Sequence, residues 1–227
     1  MPTYFHIKQD WRKSFIDLDV DIFRSSLTEE ITLESREDGL YAKVASVEPE
    51  DPSTQLLIDR ELDRIFFLTC VRLRAEMCRR FATSSFTSSS RVHGKLPADL
   101  APLNWCDELA TQLKLWALAD ESVDYMVQTL LLFQIIEISH PNTRDVVSYP
   151  PYGDYTKPPA LRTEAKLLRH ILSHSGCAKP ETANYLKFLG LPPVLSNVMH
   201  QDWYKKLSER LPVVKQQAKE ILDSKVR

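Results

Sequence analysis

The sequence predicts an α+β protein, with a β-containing region over residues 1–95 and a helical bundle over residues 96–227. Three observations carry that prediction. Apolar and polar residues alternate with period two in the first fifty positions. From Trp105 onward apolar residues recur about once per helical turn, and Pro97 and Pro102 mark the crossing between the two patterns.

Taken in order, Phe15-Ile16-Asp17-Leu18-Asp19-Val20-Asp21-Ile22 alternates apolar and acidic residues and predicts a half-buried strand. Glu30 to Glu34 and Leu40 to Val44 repeat the alternation, with Glu37-Asp38-Gly39 as the turn between them. Asp51-Pro52-Ser53 starts a helix through Leu57, Ile58, Leu62 and Ile65. Val71 to Met77 fits a strand or a continued helix nearly equally. Ser84 to Ser90 reads as a loop or an edge strand. In the second region, Leu109, Leu113, Trp116 and Ala117 form one helical stripe. Val123, Val127, Leu130, Leu131, Gln134, Ile135 and Ile138 form another, ended by His140-Pro141. Asn142 to Pro159, rich in proline and tyrosine, predicts a surface loop. Helices are expected over Ala160 to Ser175, stopped by Gly176, over Glu181 to Leu189, and over Asp202 to Lys225 with a bend or restart at Pro212. Trp105, Trp116 and Trp203 read as core or interface residues.

With 227 residues, 43% of them hydrophobic, the chain can bury one large core or two small ones. No apolar run approaches the roughly 20 residues of a membrane helix, so no membrane association is expected. Met1-Pro2-Thr3-Tyr4-Phe5-His6 lacks the features of a signal peptide, and the expected location is the cytoplasm. Cys70, Cys78, Cys106 and Cys177 form no Cys-x-x-Cys pair and read as free thiols. A net charge of -2 gives no global positive field. Basic residues nevertheless gather locally, at Arg72, Arg74, Arg79, Arg80 and Arg91, and again at Arg162, Lys166 and Arg169. Such arginines either decorate a solvated face or bind phosphate, whose geometry their forks match.

Reactive groups crowd together at Arg169-His170-Ile171-Leu172-Ser173-His174. Arg169 and His174 lie about 140° apart around a helix, so both can border one cleft, whereas His170 and His174 share a face. One reading is RNA cleavage. A histidine titrating near neutrality serves as acid or base, and an always-charged arginine suits a phosphorane-like transition state. Two copies across a symmetric dimer complete such a site. A second reading is a metal-ligand pair at His170 and His174, beside a Glu137-x-x-His140 motif. That motif occurs once where a di-iron site needs two, so no metal is expected. The third reading is an ordinary solvated helix.

The Arg169-His170-x-x-x-His174 segment on a late helix, preceded by the helix from Tyr125 to Glu137, resembles the HEPN family (higher eukaryotes and prokaryotes nucleotide-binding). The resemblance spans roughly residues 105–222 and leaves the first 95 residues outside it. It implies a helical bundle that homodimerises and lines a shared groove with Arg and His from two subunits. Many family members are metal-independent endoribonucleases in toxin–antitoxin or antiviral defence, and others only bind. Carried over, Arg169 binds the scissile phosphate and His174 is the acid/base, with His170, Glu137 and Ser173 in support. Arg162, Lys166, Tyr152 and Tyr155 are the candidate RNA contacts, the tyrosines by stacking on bases. No cofactor is implied, and the expected partners are a second copy, RNA and a protein inhibitor or regulator. A non-catalytic module for dimerisation or for ligand or RNA binding is the alternative. Toxin members often carry a Tyr two residues after the His. Gly176 stands there in this chain, which removes regulation by modification of that Tyr.

Overall fold

The computed structural model describes residues 3–9, 17–18, 20–36, 39–45, 52–78, 93–94, 100–140, 158–173, 179–192 and 201–226. Within these it is a mixed α+β structure of two compact units, Met1–Lys114 with Val226–Arg227, and Leu115–Lys225. Residues 141–157, and with them the expected Pro- and Tyr-rich loop up to residue 157, lie outside the described residues, as do Ser84 to Ser90 and Gly176.

The first unit is built on strands β1 (Thr3–Gln9), β3 (Ile31–Arg36), β4 (Gly39–Val44) and β5 (Leu73–Met77). They form one antiparallel sheet in the order β3-β4-β1-β5. Helix α1 (Val20–Ser26) follows β1 and α2 (Pro52–Thr69) follows β4, so the chain reads strand–helix–strand–strand–helix–strand with its first strand central. That is the split β-α-β arrangement. The two-residue strands β2 (Asp17–Leu18) and β6 (His93–Gly94) pair separately.

Period-two alternation decides the two faces. Phe5, Ile7, Ile31, Leu33, Ala42 and Val44 point inward and join Phe23 of α1 and Ile58, Leu62 and Ile65 of α2 in one apolar core. Tyr4, His6, Thr32, Glu34, Tyr41 and Lys43 alternate with them and lie on the opposite face. Gly39 opens β4 at φ +150, where any side chain is strained, and a Cβ there would fall 2.6 Å from Nε2 of His6 and push that ring aside. The strand expected over residues 15–22 gives way to α1 from Val20 onward. Phe23, Ser26 and Leu27 are buried at one-turn spacing and override the apparent alternation. Cys70, at φ +58, takes the left-handed conformation that ends α2, so the ambiguous segment after it becomes β5.

Three polar side chains of α2 reach partners in neighbouring segments. Arg64, 1% exposed, donates to the carbonyls of Ser26 (3.2 Å) and Ala101 (2.7 Å). Glu61 accepts from Trp105 Nε1 at 2.6 Å. Asp63 lies 3.7 Å from Lys114 in α3 (Asp107–Glu121).

The second unit holds the rest of α3, then α4 (Tyr125–Ser139), α5 (Leu161–Ser173), α6 (Pro180–Phe188) and α7 (Gln201–Val226). Asp124 caps α4 by accepting from the backbone N–H groups of Met126 and Val127. The buried side of α4 is Thr129, Leu132, Phe133, Ile135 and Ile136, whereas Val123 and Val127 of the expected stripe are 90% and 44% exposed. This helix is apolar nearly all round, so periodicity could not choose its inner face. The restart expected at Pro212 does not occur. Helix α7 runs unbroken through that exposed proline, with Trp203, Leu207, Leu211, Val214, Ala218 and Leu222 buried along it.

Candidate functional site

Helix α5 separates its residues cleanly by face. Thr163, Glu164, Ala165, Leu167, Leu168 and Ile171 are buried. Arg162, Lys166, Arg169 and Ser173 recur at spacings of four, three and four on the other side, with His170 beside them. A cationic ridge results.

Helix α4 supplies what lies against the ridge. Arg169 Nη2 is 3.9 Å from Glu137 Oε1, and its guanidinium carbon lies 5.8 Å from the centre of the Phe133 ring. Both charged side chains keep substantial exposure, 31% for Arg169 and 41% for Glu137. An ion pair so long and so wet contributes under about 1 kcal/mol, so it orients Arg169 without quenching its charge. One turn further on, His140 ends α4, its backbone N–H bonding the carbonyls of Ile136 and Glu137. Burial lowers the His140 pKa from its ordinary value, and the positive charges of Arg162 and Lys225 lower it further. The imidazole is therefore neutral at physiological pH and able to accept a proton. Lys225, on the last turn of α7, donates to Ser139 Oγ at 2.9 Å.

The ridge is pinned from beneath. Glu164, fully buried on the inner side of α5, accepts from Arg210 Nε at 2.7 Å and Arg210 Nη2 at 2.5 Å. It also accepts from the hydroxyl of buried Tyr185 at 2.7 Å. Burial first, and the Glu164 carboxylate second, push the Tyr185 phenol well above its usual range, so it stays a donor. Three helices, α5, α6 and α7, are thereby tied to one carboxylate.

The structure thus brings together Arg169 and Glu137, and sets Arg162, Lys166, His170 and Ser173 on the same helix. His174, Tyr152 and Tyr155 lie outside the described residues. Sequence reasoning treated His140 only as part of a metal motif and missed Lys225, Glu164, Tyr185 and Arg210. One signal was available. Glu164 stands three residues before Leu167 and four before Leu168, a carboxylate inside an apolar stripe, which implies a buried partner. Among the described residues, no group of three or more His, Cys, Asp or Glu side chains gathers as a metal site requires.

No family model, no curated protein and no solved structure matches this chain. Two arginines and a lysine beside a neutral imidazole suit a phosphodiester.

Proposed function

We propose that the helical unit is a HEPN-like module that homodimerises and cleaves RNA without a metal ion. The observation that carries this reading is Arg169, a part-exposed guanidinium oriented by Glu137 on the same cationic face as Arg162 and Lys166. In the proposed reaction the ribose 2′-oxygen attacks the adjacent phosphorus and its proton passes to the His174 imidazole of one subunit. The bond from phosphorus to the next nucleotide's 5′-oxygen breaks, and that oxygen takes a proton from the His174 imidazolium of the other subunit. The products are a 2′,3′-cyclic phosphate and a 5′-hydroxyl. Arg169 stabilises the charge that develops on the phosphoryl oxygens. His170 and Ser173 orient the reacting groups, and Tyr152 and Tyr155 stack on bases.

The test is incubation of the purified protein with mixed RNA in EDTA, beside Arg169→Ala and His174→Ala. Cleavage is expected to survive chelation and to fall at least about a hundredfold in each variant, the scale of a lost acid/base group. Cleavage indifferent to both substitutions contradicts the proposal, and dependence on added metal restores the His170/His174 ligand reading. A second reading, a module that dimerises or binds RNA without catalysis, is favoured by the exposed apolar side chains Leu118, Val123 and Val127. It predicts a dimer in solution with RNA left intact.

A further inference from the structure

The first unit has a surface that the ribonuclease reading leaves unused. Helices α1 and α2 cover one face of the sheet, and the other carries aromatic and cationic side chains on its two central strands and their neighbours. Tyr4 and His6 project from β1 two residues apart, about 7 Å along the strand. His6 stands opposite Tyr41 of β4, and the rings stack at 4.8 Å between centroids, inclined by 14°. The Arg36 guanidinium lies 5.0 Å from the centres of both the Tyr4 and Tyr41 rings, held by Glu34 at 2.7 Å. Tyr41 is 5% exposed and forms the floor, while Tyr4, His6 and Arg36 are part-exposed above it. Lys43 lies opposite Tyr4, and exposed Arg74 lies towards the far edge on β5. Among the described side chains, three cations, Arg36, Lys43 and Arg74, stand on this face against two carboxylates, Glu34 and Glu76.

We infer that this face binds single-stranded RNA. Unpaired bases present π-faces that stack on aromatic side chains, and the phosphates between them require cations close by. Interleaved rings and positive charges on a four-stranded sheet meet both needs. A protein partner's apolar surface would instead require contiguous hydrocarbon, and Arg36, Lys43 and Thr32 interrupt any such patch. Tyr4 and His6, one pleat repeat apart, each receive a base, and Arg36 and Lys43 take the flanking phosphates. The choice of RNA over DNA rests on the ribonuclease reading of the helical unit.

Fluorescence anisotropy of the full chain with a short labelled oligouridine tests this, with Tyr4→Leu, Lys43→Ala and, as control, Lys187→Ala on α6. The oligouridine is expected to bind, about tenfold more weakly to Tyr4→Leu. Lys43→Ala is expected to weaken binding and to flatten its salt dependence by about one ion, and Lys187→Ala to bind as the parent does. Thermal melting verifies that each variant is folded. Independently of any variant, a 4-thiouridine probe is expected to crosslink to the β1 peptide bearing Tyr4 and His6. Absence of binding, binding unchanged in Tyr4→Leu and Lys43→Ala, a crosslink confined to other peptides, or equal affinity for duplex RNA overturns the proposal. Equal affinity for the matching DNA strand overturns the choice of RNA. Sheet binding that persists while RNA is never cleaved would remove the ribonuclease alone, so the two failures are told apart.

Discussion

Asp63 shows what a single buried carboxylate does in this fold. It is 8% exposed on α2, and burial raises its pKa from 3.8 to about 6, against the opposing pull of Lys114. The folded state therefore holds this proton more tightly than the unfolded chain does. The stabilisation that results is whole below the unfolded value of 3.8 and is lost as pH rises through about 6. At neutral pH the charged side chain then opposes folding by up to about 3 kcal/mol. Asp63→Asn removes that penalty while keeping the shape. It is expected to be more stable than the parent at pH 7 and to lose the advantage as pH falls towards 4, read by urea denaturation across that range. A variant less stable than the parent at pH 7 would show that the Lys114 pairing outweighs burial. At this scale the sequence was least informative, because a buried Asp and an exposed one read alike until their neighbours are known.

Among the elements, α5 matters most to the proposed chemistry, and its orientation depends on Glu164. Removing Arg210 strands a fully buried carboxylate, whereas removing the charge of Glu164 leaves an arginine whose side chain, 26% exposed, water can still reach. Arg210→Met is therefore expected to cost about 3–5 kcal/mol and Glu164→Gln less, measured by chemical denaturation. The reverse order would mean that the carboxylate is not what ties α5 to α7. Helices with one clear apolar side, α5 above all, were legible in the sequence because only one packing direction buries the stripe. Strands β3 and β4 were legible as well, since Ile31 and Leu33, and Ala42 and Val44, alternate with polar residues. The inner face of α4 was not legible, because nearly every side of it is apolar. Nor was α1, whose acidic alternation imitates a strand. The Glu164–Arg210 pair joins positions 46 residues apart, and no local pattern announces such a partner.

On the scale of the whole molecule, the chain carries two chemistries in two compact units, an aromatic and cationic sheet face in one and a cationic helix face in the other. No helix among the described residues is long and apolar enough to cross a membrane. The net charge of -2 conceals both cationic faces, because acidic residues elsewhere cancel them in the sum. The α+β class was legible from the change of period along the chain, but the sheet's strand order was not, since pairing β1 between β4 and β5 depends on contacts distant in sequence. If Arg169 and His174 break RNA through its own 2′-hydroxyl, as proposed, the ends of the products carry the signature. In EDTA, 2′,3′-cyclic phosphate and 5′-hydroxyl termini are expected, and they vanish in Arg169→Ala. Intact RNA, or 3′-hydroxyl termini that form only when metal is supplied, would contradict the proposal.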